Sequence, residues 1–245
     1  MKALILAAGY ATRLYPLTKE YPKPLLEVQG RPIINYIVDK LKNISVIDEI
    51  YVVTNSKFIR LFRRWAKTEK LSKKITLIDD LTKSNRDRLG AIGDLNFVVK
   101  KQSIQEDLLV IGGDNLFSGD LKGFLDFSKK NIPAASIGLF KLRQKKDASR
   151  YGVAGLNRQK RVISFCEKPK HPQSHLVAMC LYYIPKDYLS LIKEYMQDKN
   201  KQAHTTGGYI NWLKDKVDVY AYVFGGSWFD IGDYKYLNAA KEKFA

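Results

Sequence analysis

Residues 6–26, "LAAGYATRLYPLTKEYPKPLL", decide the reading of this chain. They continue an apolar run, turn through the small residues Ala7, Ala8, Gly9 and Ala11, and carry Arg13 and then Lys23. In open parallel sheets ligands sit beyond the carboxyl ends of the strands, and the loop after the first strand is a favoured phosphate site. Small residues let backbone N–H groups approach an anion that larger side chains would fend off. Arg13 adds a planar fork, Thr12 a hydroxyl, and Lys23 a point charge that can return to the same loop. A dinucleotide fingerprint would need glycines where the chain has Ala11 and Leu14, and no Gly-Lys-Ser/Thr ending of a P-loop is present. Gly9 alone would be a tight turn; its combination with two cations points to a polyphosphate.

Outward from this turn, apolar runs alternate with amphipathic segments. "KALILAA", "EIYVVT", "KITLID", "DLLVIGGD" and "AASIGLF" read as strands. "RPIINYIVDKLKN", with Pro32 in its first turn, "SKFIRLFRRWAKT" and "LKGFLDFSKK" read as helices. Strands apolar on both faces, alternating with helices, predict a parallel sheet covered on both sides. From about residue 140 the pattern becomes mixed: strand-like "YGVAGLN", "RVISFCEK", "LVAMCLYYIP" and "VDVYAYVF", with helices near "KDYLSLIKEYMQD", "GGYINWLKD" and "YKYLNAAKEKF". No Pro/Gly/Ser-rich linker or internal repeat divides the chain. The expectation is therefore one domain over 1–245, with a nucleotide-binding half to about 135 and a second half from about 136.

Hydrophobic residues make up 45% and charged residues 27% of 245 positions, a balance that excludes disorder. The 42 Lys+Arg against 25 Asp+Glu leave a net charge of +17, which draws polyanions: nucleic acid, anionic membrane or phosphorylated substrates. Cys166 and Cys180 are too few and too far apart for a CxxC site and read as small core residues beside strands. The first apolar run is shorter than a secretory signal needs, and none reaches the roughly 20 residues of a membrane span. A cytoplasmic location without membrane association is the resulting expectation. His171, His175 and His204 lie in polar stretches and read as solvated.

"LAAGYATRLYPLT" followed by "KPLLEVQGRPIINY" resembles the signature of the sugar-1-phosphate nucleotidyltransferases, the pyrophosphorylases that make nucleotide sugars, among them the glucose-1-phosphate thymidylyltransferases. The matches run from residue 2 to about 240. The resemblance implies a Rossmann-like α/β fold, with a mixed, mostly parallel central sheet and helices on both faces. It also implies attack of a sugar 1-phosphate on the α-phosphate of a nucleoside triphosphate, with Mg2+ as cofactor. By the same resemblance Arg13 and Lys23 are catalytic, and Leu6, Ala8, Gly9, Ala11, Thr12, Gly90 and Asp114 bind nucleotide. Ala11 replaces the family's second glycine and accommodates phosphate if its φ is negative. Asp114 in "GGDN" and Asp230 in "SWFDIGD" match the metal-binding aspartates. Gly152, Glu167 and Lys168 match the sugar-phosphate contacts, with Val177 in the same pocket, where Cys180 replaces a common glycine. No clear counterpart exists for the glutamine that reads thymine or uracil, so base and sugar stay open. The family also includes homo-oligomers.

Two rivals remain at this point. Arg60, Arg63, Arg64 and Lys67 share a helical face that could meet nucleic acid, although Ile59, Phe62 and Trp65 on the same helix are spaced for core packing, which favours a merely solvated basic face. A glycosyltransferase using a nucleotide-sugar donor would share the fold, but would carry Asp-x-Asp where this chain has "GGDN".

Overall fold

The computed structural model describes residues 1–69, 73–198 and 204–244. The strand β1 (Lys2–Leu6) is flanked in parallel by β4 (Glu49–Thr54) and β6 (Leu108–Gly112), and β5 (Lys74–Asp79) continues the sheet beyond β4. Side chains alternate across a strand. Ala3 and Ile5 therefore join one core with Val52, Leu109 and Ile111, while Leu4 joins the opposite core with Tyr51, Val53, Leu108 and Val110. The first core is closed by α1 (Ile33–Lys42), α2 (Ile59–Thr68) and α4 (Leu121–Lys130), through side chains such as Ile34, Phe62 and Phe124. The second is closed by α3 (Ala91–Lys101), α5 (Leu189–Gln197) and α6 (Thr206–Leu213), through Leu95, Ile192 and Leu213. Two-sided burial is what the unbroken apolar runs of β1 and β6 demand.

The second half extends the same sheet. β11 (Leu176–Ile184) pairs antiparallel with β8 (Ala135–Lys141) along one side, and on the other with β6 through Leu181–Ile184 and with β9 (Gly152–Leu156) at Val177. β12 (Val219–Phe224) runs parallel to β8, and β10 (Val162–Glu167) closes a hairpin with β9. Two short ladders escape the sequence reading. β2 (Glu27–Val28) pairs with β3 (Arg31–Pro32), and β7 (Asn115–Phe117) pairs with β13 (Trp228–Asp230) ahead of α7 (Tyr234–Lys243). Pro32 stands one residue before α1 rather than inside its first turn. Strands of two or three residues carry too little alternation to be read from sequence.

On α2, Ile59, Phe62 and Trp65 are buried, and Arg60, Arg63, Arg64 and Lys67 are exposed, as the solvated-face reading expects. Among the described residues no helix is long and apolar enough to cross a membrane.

Asn55, fully buried after β4, ties the sheet to the first loop. Its Nδ2 donates to the Ala8 carbonyl at 2.9 Å, and its Oδ1 accepts from the Phe58 amide at 3.1 Å. Replacing it with leucine strands the Ala8 carbonyl, at about 1–3 kcal/mol, while the Phe58 amide keeps its bond to the Asn55 carbonyl at 3.1 Å. Asn55→Leu is expected to lower unfolding free energy by about 1–3 kcal/mol in urea denaturation, and a loss under about 0.5 kcal/mol would show that water replaces the bond.

Candidate active site

The loop after β1 leaves the sheet with the Ala7 amide donating to the Val53 carbonyl at 2.9 Å. Half-buried Leu6 and buried Ala8 form its base, and Gly9 is exposed. A Cβ added to Gly9 meets nothing within 4 Å, and its φ is ordinary, so the chain's own packing gives no reason for glycine there. Ala11 departs from expectation: its φ is +48°, in the left-handed region, rather than negative. The tightness of the turn forces this. The Ala11 carbonyl accepts from the Leu14 amide at 2.9 Å and the Thr18 hydroxyl at 2.8 Å, closing a 3-10 turn over Thr12–Leu14. An L-residue pays about 1–2 kcal/mol for that conformation, the cost that the glycine of the resembling family avoids. Leu14 is buried and anchors the turn, which leaves Arg13 exposed toward the cleft.

Lys23 opens a second 3-10 turn, Lys23–Leu25, anchored by buried Pro24 and Leu25. Its ammonium forms an ion pair with Asp114. Asp114 sits at the sharp bend between β6 and β7. There the Gly113 amide donates to the Leu6 carbonyl at 2.8 Å, so a Cβ on Gly113 would strike that carbonyl. The bend thus needs glycine to press against the end of β1. Asp230 arrives from the far end of the chain through the β7–β13 ladder, where it lies opposite Asn115. The Trp228 indole N–H donates to Asn115 Oδ1 at 2.6 Å, and the Asn115 amide donates to the Met179 carbonyl. A Cβ on Gly232 would lie 3.7 Å from Asp230 Oδ2 and 3.8 Å from both terminal nitrogens of Arg13, which places the Arg13 fork beside Asp230. Burial, and then the charge of Asp114, push the Asp230 carboxyl up to about 6, against the pull of Lys23, Arg13 and Arg150. A buried carboxyl whose proton affinity is raised by a second carboxylate beside it belongs to a donor set that a hard divalent cation would relieve.

Arg13, Asp114 and Asp230 line a cleft of about 150 Å³, which Lys23 borders through its ion pair with Asp114, bounded on its second side by Arg150, Gly152, Glu167, Lys168, Cys180 and Thr206. Glu167 ends β10. A Cβ on Gly207 would collide with its carboxylate and one on Gly152 with the Phe165 ring, so both glycines let the Glu167 segment lie close. Lys168 holds φ +47°, its amide donates to the Tyr151 carbonyl at 3.0 Å, and its ammonium lies 3.4 Å from Glu167 Oε1.

Val177 is not part of this cleft. It is fully buried on β11, packed with Ala148 and Val153 behind the cleft wall, because strand alternation turns it to the opposite side from Ala178. The cysteines also differ from expectation: Cys166 is exposed, and Cys180 lines the cleft at φ +53°, where β11 bulges against β8. Burial, with Asp114 and Asp230 nearby, pushes the Cys180 thiol up to about 12, so it is not a thiolate nucleophile at neutral pH. His171 and His204 are exposed, while His175 is half-buried with Nδ1 3.1 Å from the Leu142 carbonyl. Gly90 has structural reasons of its own. It caps α3 at φ +77°, and a Cβ there would come within 3.0 Å of His204.

Arg150, Tyr151, Thr206 and Trp228 line the cleft and were missed by the sequence reading. Arg150 directly precedes Tyr151 and Gly152 in "RYGVAG"; a cation touching a glycine matched to the sugar site was the available signal.

The nucleotidyl transferase family model matches residues 2–245, and the chain belongs to that family. A Sulfolobus acidocaldarius protein described as a mannose-1-phosphate guanyltransferase is 31% identical, over 97% of this chain and 62% of its own length. The bifunctional protein GlmU of Methanococcus aeolicus is 27% identical, over 95% of this chain and 51% of its own. A solved Bacillus anthracis structure described as a glucose-1-phosphate thymidylyltransferase in complex with sucrose matches with a TM-score of 0.81 at 27% identity, covering 99% of this chain and 94% of that one. The chain spans about half the length of the GlmU proteins it matches.

Behind the first loop lies a buried acid pair. The Tyr10 hydroxyl is 3.0 Å from the Thr82 hydroxyl, which donates to Asp80 at 2.8 Å, and Asp94 in the first turn of α3 is buried beside Asp80. Burial first, then the charge of Asp80, raise Asp94 to about 8 from 3.8. The folded protein therefore holds a proton that the unfolded chain releases above pH 3.8, so this group costs stability increasingly as pH rises from about 4 to 8. Asp94→Asn keeps a donor for Asp80 without the titration. The stability difference between variant and wild type is expected to open in the variant's favour across that window and level off above it, read from urea midpoints at several pH values. A gap that does not change with pH would remove the buried proton from the account.

Proposed function

We propose that the chain joins a nucleoside triphosphate to a sugar 1-phosphate, giving a nucleotide sugar and pyrophosphate. The convergence of Arg13, Lys23, Asp114 and Asp230 on one small cleft, from three separate stretches of sequence, carries the reading. Membership of the family and relatives described as guanyl- and thymidylyltransferases of sugar 1-phosphates support it.

Both reactants are anions, and their mutual repulsion is the main electrostatic barrier. The loop at Ala8, Gly9 and Thr12, rising from Leu6, offers backbone N–H groups to the triphosphate, and the open space over Gly9 is where it would lie; Ala11, at positive φ, does not meet the condition set for it. The base is assigned to the segment at Gly90, as the resemblance implies. Arg13 neutralises the departing pyrophosphate, and Lys23, released from Asp114, orients the α-phosphate. An oxygen of the sugar phosphate forms the new bond to the α-phosphorus as the bond to the pyrophosphate oxygen breaks in line. The nucleophile is ionised at neutral pH, so no general base is needed. Glu167 accepts hydrogen bonds from sugar hydroxyls, beside the backbone of Gly152, and Lys168 faces the sugar phosphate. Asp114 and Asp230 would hold Mg2+, which when bound supplies further neutralisation of phosphate charge.

Nucleoside triphosphates assayed against sugar 1-phosphates with magnesium are expected to release pyrophosphate, and chelation to abolish the release. Release of nucleoside diphosphate from a nucleotide sugar instead would assign the chain to donor-dependent glycosyl transfer. Arg13→Ala and Lys23→Ala are each expected to lower turnover by about 10²–10³-fold, with unchanged far-ultraviolet circular dichroism. Wild-type rates in either variant would take that residue out of the mechanism.

A further inference from the structure

Among the described residues that line the cleft, Arg150 is the cation that the proposed reaction leaves without a role. It ends the 3-10 segment Lys145–Arg150, and its guanidinium is seated before any ligand arrives. One terminal nitrogen donates to Asp233 Oδ2 at 2.7 Å, and the Cζ stands 4.3 Å from the centre of the Tyr236 ring. Asp233 is itself fixed, because its other oxygen caps α7 by accepting from the Tyr236 amide at 3.2 Å. A guanidinium carries five N–H donors. The bond to Asp233 uses one, and Arg150 also borders the cleft, close enough to Asp230 for its charge to be felt there. Arg150 lines the cleft with Tyr151, Gly152 and Lys168, so a seated, planar guanidinium with further donors stands at that wall.

We propose that Arg150 binds the phosphate of the sugar 1-phosphate and sets the angle from which its oxygen attacks; the assignment rests on the reaction proposed above. The triphosphate is served from the opposite wall, by the loop at 9–13 and by Lys23, so a fork on the second wall meets the other anion. Lys168 cannot fix that angle alone. It is a point charge on a flexible stem whose side chain is 60% exposed, whereas Arg150 offers two parallel bonds from a seated plane. Pre-seating by Asp233 and Tyr236 reduces the ordering that binding would otherwise require.

The alternative is that Arg150 merely latches α7 to the second half through Asp233. The two roles separate in the KM values for each substrate and in melting temperature. Arg150→Gln is expected to raise KM for the sugar 1-phosphate about 10- to 100-fold, the loss of a charge-assisted contact, with KM for the nucleotide within about twofold of wild type. Arg150→Lys should recover part of the loss. Asp233→Asn should raise the same KM only a few fold, since the Tyr236 ring still supports the guanidinium. Calorimetric titration with glucose 1-phosphate and mannose 1-phosphate, without nucleotide, reads the same contact with no turnover. Arg150-dependent binding of either without pyrophosphate release would remove the proposed reaction and leave this assignment standing. A folded Arg150→Gln protein with wild-type KM or affinity for the sugar 1-phosphate overturns it. So does an Asp233→Asn protein that matches Arg150→Gln in melting temperature and in both KM values, the signature of a latch.

Discussion

The position of β1 between β4 and β6 is the constraint from which the cleft follows. Parallel neighbours bring their carboxyl ends to the same edge, so the loop after Leu6 and the bend after Gly112 are forced side by side. The Gly113 amide bonded to the Leu6 carbonyl is the point of contact. Once that contact exists, Lys23 and Asp114 meet as an ion pair. The β7–β13 ladder then adds Asp230 to the same edge, and the Trp228–Asn115–Met179 bonds lock that ladder to β11. None of these side chains could hold its place on a mobile loop; each is braced by a strand end or a buried anchor.

Charge balance is the second theme. Around the cleft each cation stands near a carboxylate: Lys23 with Asp114, Arg150 with Asp233, Lys168 with Glu167, and Arg13 beside Asp230. Such couples keep long side chains ordered and limit the self-repulsion of four positive charges in a small volume. Phosphate oxygens would replace the carboxylates at the cations, and a metal would take up the freed aspartates. The overall charge of +17 favours arrival of anions at this edge. The exposed arginines of α2 contribute to that field while its apolar side fills the core.

Much of this was legible because strong local patterns and the global fold agree. The two-sided apolar runs of β1, β4 and β6 admit only a covered sheet, and α4 spans the very residues its periodicity marks. Arg13, Lys23, Asp114, Asp230, Glu167 and Lys168 were named from short ordered stretches, and the folded chain gathers them around one cleft. Val177 was misplaced because membership of a strand says nothing of which face a residue takes without the register. Ala11 was misjudged because its φ is imposed by hydrogen bonds to Leu14 and Thr18 rather than by its own preference. Cys180 reached the cleft only through a bulge in β11, and a bulge has no signature in a run of apolar residues.

The amino-acid sequence by itself determined the layers of the fold and the residue types brought to the site, because periodicity, turn chemistry and charge are local properties. Tertiary structure alone decided the pairings. Asp230 reaches Asp114 through a three-residue ladder to a strand more than a hundred positions away, and Arg150 is aimed by an aspartate and a tyrosine on the last helix. Contacts between distant segments depend on register and close approach, and neither is written in the stretches that meet.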